Sequence, residues 1–258
     1  MTTLKLPISS SALFLDFDGT LTELAPRPDA VVIAPGLVGT LTELSRALNG
    51  ALAIVTGRPI TEIDHYLAPL NLPIAGVHGA ERRGSDGLLR RMAVPNMDRL
   101  VATARALTER YPALFLEVKP NAVAIHYRQA PELEQLCFDA MGDALRLAEG
   151  MVLLRGKMVI EIKPHRATKG LAVKAFLDED GPFKGRCPWF IGDDVTDEAA
   201  FETVQSMHGV AIKIGAGETL AQHRLNTSAE LRDWLSDTAG RARNVPVQDP
   251  SSITNGGA

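Results

Sequence analysis

The chain has 258 residues, 45% of them hydrophobic and 22% charged, with a formal net charge of −4. That supplies one large apolar core or two smaller ones, and the mild acidity excludes the basic footprint of a nucleic-acid binder or a polybasic lipid contact. No apolar run approaches the roughly 20 residues that span a bilayer, and no adequate signal-type apolar region precedes Asp16, so no membrane partner is expected and the cytoplasm is the default location.

Residues 12–16 read as an apolar strand that runs into Asp16-Phe-Asp18-Gly19-Thr-Leu. Strand side chains alternate faces, so Asp16 and Asp18 start on one side. Two carboxylates that close repel each other unless a cation sits between them, and Gly19 permits a sharp turn beside a ligand. Residues 35–49 carry Leu37, Leu41, Leu44 and Leu48 at helical spacing before Gly50. A second strand, 51–55, ends in Thr56-Gly57-Arg58. A short helix is expected at 60–67, and a third strand, 73–77, ends in His78-Gly79-Ala80-Glu81. Short apolar strands alternating with helices predict a parallel sheet.

The pattern then changes. Gly84-Ser85-Asp86-Gly87 reads as a hairpin turn. Helices are expected at 97–111 and 131–149, and strands at 114–119, 122–128, 151–154 and 158–162, an antiparallel α+β arrangement bracketed by Pro95 and Pro164. The α/β alternation resumes with a helix at 168–177, a strand at 188–192 ending in Asp193-Asp194, a helix at 194–204, a strand at 209–214 and a helix at 229–235. The domain division is therefore 1–94 with 165–239 as one discontinuous core, 95–164 as an inserted module, and 240–258 as a polar tail expected to be disordered. Cys137 and Cys187 lack metal-ligand spacing and read as free thiols.

Each candidate site has a structural and a chemical reading. Asp16 and Asp18 suit a turn, but they lie beyond the carboxyl end of a buried strand, where open parallel sheets bind ligands. Asp194 and Asp197 are explained by helix capping. Asp193, closing an apolar strand, is not, and a hard cation such as Mg²⁺ would take oxygens from Asp16, Asp193 and the main chain near Asp18. Thr56 and Gly57 stand where a strand-to-helix junction can hold phosphate. Lys169 opens a helix against its dipole, which hints at a paired anion. Glu117, Lys119, His126, Arg128 and Glu161 fit the polar face of a half-exposed sheet, or a lid that bonds hydroxyl groups. No Gly-x-Ser-x-Gly, Walker A loop or strand-following Gly-x-Gly-x-x-Gly occurs.

Four pieces in this order resemble the haloacid dehalogenase (HAD) superfamily of phosphohydrolases: Asp16-Phe-Asp18-Gly-Thr-Leu, strand-terminal Thr56-Gly-Arg, Lys169, and Gly192-Asp193-Asp194-Val-Thr-Asp197-Glu198. The inserted module is similar to that superfamily's α/β cap of the second type. Gly76-Val-His78-Gly-Ala-Glu81, Glu117-Val-Lys119, His126-Tyr-Arg128 and Glu161-Ile-Lys-Pro narrow the resemblance to the trehalose-6-phosphate phosphatases, over roughly residues 11–235. Arg82 departs from the pattern, since His often follows Glu81 in that family.

The resemblance implies a Rossmann-like core with an inserted cap and a magnesium-dependent phosphatase acting on trehalose 6-phosphate through an aspartyl-phosphate, the last step of trehalose biosynthesis. Asp16 would be the nucleophile and Asp18 the general acid/base. Thr56, Gly57 and Lys169 would hold the phosphate, and Glu117, Lys119, Glu161, His126 and Arg128 the sugar. Asp16, Asp18 and Asp193 would hold Mg²⁺, with Asp194 and Asp197 orienting from close by. A monomer is expected, with functional pairing to a trehalose-phosphate synthase as a further possibility. The rival readings are a phosphatase or phosphomutase of another sugar phosphate, and a non-catalytic sugar-phosphate sensor.

Overall fold

The computed structural model describes residues 4–146 and 148–243. Its strands are β1 (Ser11–Leu15), β2 (Leu52–Val55), β3 (Ile74–Gly76), β4 (Glu81–Arg83), β5 (Leu89–Arg91), β6 (Phe115–Val118), β7 (Val123–His126), β8 (Met151–Gly156), β9 (Val159–Pro164), β10 (Cys187–Gly192), β11 (Val210–Ile214) and β12 (His223–Leu225). The α-helices are α1 (Leu37–Ala47), α2 (Ile60–Leu67), α3 (Asp98–Arg110), α4 (Glu134–Leu145), α5 (Lys169–Asp178), α6 (Glu198–Ser206) and α7 (Ser228–Arg243). Residues 244–258, most of the expected tail, lie outside the described residues, and 240–243 continue α7.

The large sheet has the order β12-β11-β10-β1-β2-β3-β4-β5. The strands from β12 to β3 are parallel, and the hairpin β4–β5 extends the sheet antiparallel from β3. Every residue of β1 and β2 is buried, which is why both read as continuous apolar runs rather than alternating ones. Leu37, Leu41 and Leu44 form the buried stripe of α1, and Phe14, Phe176 and Phe183 pack together on the sheet. The chain reverses its direction of sheet growth at β1, so the crevice beside β1 and β10 is the switch point of an open α/β sheet.

The small sheet is antiparallel, with the order β6-β7-β9-β8. Val123, Ile125, Ile160 and Ile162 point to one face, where they join Leu100, Ala104, Cys137 and Met141 of α3 and α4 in a second core. Cys137 and Cys187 are free, as expected. Strand alternation sends Glu117, Ala124, Glu161 and Leu154, which are cross-strand neighbours in register, to the opposite face. No helix among the described residues is long and apolar enough to cross a membrane.

Candidate active site

A cavity of about 170 Å³ lies between the carboxyl ends of the large sheet and the polar face of the small one. Of the site residues predicted from sequence, every one except Asp197 lines it. Asp16 follows β1, Thr56 follows β2 and Asp193 follows β10, so three strand ends deliver them to one place. Asp197 stands directly behind, fully buried.

The acids gather around Lys169. Its Nζ is 2.7 Å from Asp16 Oδ1 and 2.7 Å from Asp197 Oδ1. The lysine is held at the first turn of α5, whose N-cap Thr168 accepts from the Leu171 N–H at 3.2 Å. Burial opposes the charge on Lys169, but Asp16 and Asp197 outweigh it and keep the ammonium well above its ordinary range. Burial pushes Asp16 up against the pull of Lys169, with Asp197 and Asp193 adding repulsion. Asp193 is pushed up to about 6, chiefly by burial and by Asp197. Lys169 and, at longer range, Lys157 thus face three acids.

Asp16, Asp193 and Asp197 each offer an oxygen within 4.8 Å of the others, a hard-donor set. Asp197 is already committed: Lys169 occupies Oδ1, and the Asp194 N–H donates to Oδ2 at 2.9 Å within a capping box. Asp16 and Asp193 are the pair whose charge is left under-compensated, and they fit a divalent cation. Gly19 belongs to this geometry, since a Cβ there would lie 2.2 Å from Asp193 Oδ2 and its φ of 76° suits glycine. Thr20 Oγ1 donates to Asp193 Oδ1 at 3.4 Å, and the ammonium of Lys213 donates to the Asp193 carbonyl.

The Asp18 carboxylate takes a separate partner. Arg58 Nε donates to Oδ2 at 2.7 Å and Nη2 to Oδ1 at 2.8 Å, a bidentate fork that fixes its orientation at the cavity wall. Arg58 Nη1 also donates to Glu62 at 2.7 Å, and the guanidinium lies over Tyr66. The side chain of Asp18 is therefore with Arg58 and not in the acid cluster. The Thr56 hydroxyl accepts from the Arg58 N–H at 3.1 Å, so the loop after β2 is internally tied.

On the cap side, Lys119 Nζ donates to Glu161 Oε1 at 2.7 Å and stands 3.8 Å from Glu117. His126 Nε2 bonds Glu117 Oε2 at 2.7 Å. Burial raises the Glu117 carboxyl, but His126 and Lys119 hold it below its ordinary value; burial likewise opposes Glu161, and Lys119 and His78 hold it lower still. Arg128 Nη1 donates to the Ala25 carbonyl at 2.5 Å, a contact from cap to core. These side chains are not the solvated face of a half-exposed sheet, because Lys119 and Glu161 are buried.

Sequence reasoning passed over three residues of the cavity. Arg58 appeared only as the end of Thr-Gly-Arg, His78 sits on an irregular turn, and Lys157 reaches from the β8–β9 hairpin to 3.9 Å from Asp193 Oδ2. Strand-end position would have flagged the first two. Arg82 faces elsewhere: it pairs with Glu179 and lies over Phe176, so its departure from the family pattern leaves the cavity unchanged.

A parallel sheet with acids at its switch point, roofed by an inserted antiparallel module, is the core-and-cap arrangement expected of the phosphohydrolases that the sequence motifs resemble. Residues 14–233 match the family described as Trehalose-phosphatase. The chain is 47% identical over 220 residues to a probable trehalose-phosphate phosphatase of Sinorhizobium fredii, covering 83% of this chain and 82% of the relative. It is 41% identical over 231 residues to the trehalose-6-phosphate phosphatase of Escherichia coli K12, covering 87% and 85%. A crystal structure of a trehalose-6-phosphate phosphatase related protein superposes with a TM-score of 0.72 at 27% identity, covering 91% of this chain and 99% of that one. The chain belongs to the trehalose-phosphatase family.

Proposed function

We propose that this chain hydrolyses trehalose 6-phosphate to trehalose and inorganic phosphate through an aspartyl-phosphate on Asp16. The observation that carries the reading is the two-ended cavity. An acid cluster with Lys169 and Thr56 forms one end, and a row of carboxylates with a lysine and a histidine forms the other. The first end suits a phosphoryl group; the second suits a molecule rich in hydroxyls. The substrate named for both bacterial relatives has these two ends.

An Asp16 oxygen attacks phosphorus, and the ester bond to the sugar oxygen breaks. Asp18 gives that oxygen a proton. Water then attacks the phosphorus, Asp18 takes the water's proton, and the bond from phosphorus to Asp16 breaks. Splitting one displacement into two is the logic of covalent catalysis, and proton transfer of this kind is typically worth about 10²–10⁴-fold. Lys169 and the Thr56 hydroxyl stabilise charge on the transferring group, where electrostatics and positioning supply most of the acceleration. Mg²⁺ on Asp16, Asp193 and the Asp18 main-chain oxygen would screen the repulsion between an anionic nucleophile and an anionic phosphate. Glu117, Lys119, Glu161, His126 and Arg128 hold the sugar.

Phosphate release across a panel of sugar phosphates, with and without EDTA, tests the reading. Trehalose 6-phosphate should give the highest kcat/KM, and EDTA should abolish it. Equal rates for glucose 6-phosphate would move the assignment to a general sugar phosphatase. Phosphate transferred to a sugar instead of released would make it a mutase, and binding without turnover would make it a sensor.

A further inference from the structure

His78 has no part in the chemistry just described, yet the fold goes to unusual lengths to place it. It follows β3 in a turn where Val77 (φ 49°), His78 (φ 56°) and Gly79 (φ 103°) are successively left-handed. Such backbone is unfavourable for any L-residue and most of all for a β-branched one. The turn is tied to the phosphate-side loop, because the Val77 N–H donates to the Arg58 carbonyl at 3.0 Å and the His78 N–H to the Thr56 carbonyl at 2.9 Å. The imidazole is buried against Gly57, where a Cβ would lie 2.8 Å from its Cε1, so the loop has glycine where the ring needs room.

From that position the ring crosses to the cap. His78 Nε2 lies 2.8 Å from Glu161 Oε2. Glu161 Oε1 accepts from Lys119, and the same Lys119 Nζ donates to the Gly57 carbonyl at 3.0 Å. The carboxylate of Glu161 is thus held between a cap lysine and a core histidine, and both trace back to residues 56–57.

We propose that His78 is a positioning residue for sugar recognition, which donates from Nε2 to Glu161 and fixes that carboxylate in its substrate-binding orientation only when the cap is closed on the phosphate loop. The inference rests on the reading of this chain as a trehalose-6-phosphate phosphatase. It makes sugar affinity a property of the closed state: in an open cap Glu161 keeps Lys119 but loses its second donor.

The donor must be Nε2, because a carboxylate only accepts. Nδ1 is buried with no hydrogen-bond partner among the described residues. An imidazolium would strand a second N–H there, so the neutral ring with its proton on Nε2 is the form that fits. Burial, the largest influence on the ring, works in the same direction and holds His78 below its ordinary pKa.

The test compares His78→Leu with His78→Gln, two side chains that fill similar space, of which only the amide can donate. Steady-state kinetics are measured on trehalose 6-phosphate and on p-nitrophenyl phosphate. In His78→Leu the ratio of the two kcat/KM values should fall roughly 10–100-fold, the worth of a hydrogen bond to a charged group, with the loss expressed mainly in KM for the sugar substrate. His78→Gln should restore most of the ratio. Equal losses on both substrates, an unchanged ratio in His78→Leu, or no rescue by Gln would overturn the role. A second readout needs no variant. The imidazole ¹⁵N shifts of the wild-type enzyme should report the Nε2–H tautomer, and the Nδ1–H form would overturn the proposal. Wild-type protein inert toward trehalose 6-phosphate would instead sink the substrate reading itself.

Discussion

Lys169 Nζ stands 2.7 Å from Asp16 Oδ1 with both side chains almost wholly buried, and the same ammonium balances Asp197 at an equal distance. A cation in this position is structural before it is catalytic, because deleting one member of a buried pair leaves its partners uncompensated. Lys169→Met should therefore abolish turnover and also lower stability by about 3–5 kcal/mol. Denaturant unfolding at constant m-value checks the second part. A variant that is inactive yet as stable as wild type would show that Lys169 serves the phosphate alone.

Asp16→Asn separates chemistry from folding in the opposite sense. The amide removes a buried charge that burial already penalises, and Lys169 keeps Asp197. Thermal stability should stay close to wild type, while kcat falls by more than about 10⁴-fold, as expected for loss of a nucleophile. Multiple-turnover phosphatase activity in this variant would refute the assignment.

The acid cluster was legible because strand ends are legible: apolar runs that stop at Asp16, Thr56 and Asp193 announce the carboxyl edge of a parallel sheet. Lys169 announced itself by opposing a helix dipole, and the structure supplies the anions it was missing. His78 was visible as a strand end but its role was not, because the turn that aims it, two non-glycine residues at positive φ, has no sequence period. β12 was missed because His223-Arg224-Leu225 is a short, polar edge strand. The final helix was expected to end near 235 but runs to Arg243, since Thr238 and Ala239 are buried yet contribute little to an apolar pattern. The expected helix at 131–149 is a 3-10 turn, Pro131–Leu133, followed by α4.

Asp193 gives a pH prediction with a definite sign. Its folded pKa of about 6 lies above the ordinary 3.8. The group adds stability while protonated, and that contribution is lost as pH rises from about 4 through 6. Metal-free protein should lose roughly 2–3 kcal/mol over this window from Asp193. A divalent cation binds the ionised form, so the stabilisation given by added Mg²⁺ should grow over the same interval. Melting temperatures at pH 4.5 and 7, with EDTA or Mg²⁺, measure both trends; a Mg²⁺ effect that is equal at the two pH values would contradict the assignment of Asp193 as a ligand.

The register of the small sheet yields the last prediction. Ala124 is the cross-strand neighbour of both Glu117 and Glu161, so a methyl group separates the two carboxylates proposed to bind the sugar. A larger residue on that row would press on the Lys119 ammonium that bridges them and displace both carboxylates, away from the acid cluster at the other end of the cavity. Ala124→Leu should reduce kcat/KM for trehalose 6-phosphate by about 100-fold or more, as overfilling a packed site does, and reduce it far less for p-nitrophenyl phosphate, which has no sugar to seat. Ala124→Ser, nearly isosteric, should stay close to wild type on both. If Ala124→Leu handles the disaccharide as well as the parent enzyme does, the sugar binds elsewhere, and the row from Glu117 to Glu161 is a structural brace between cap and core.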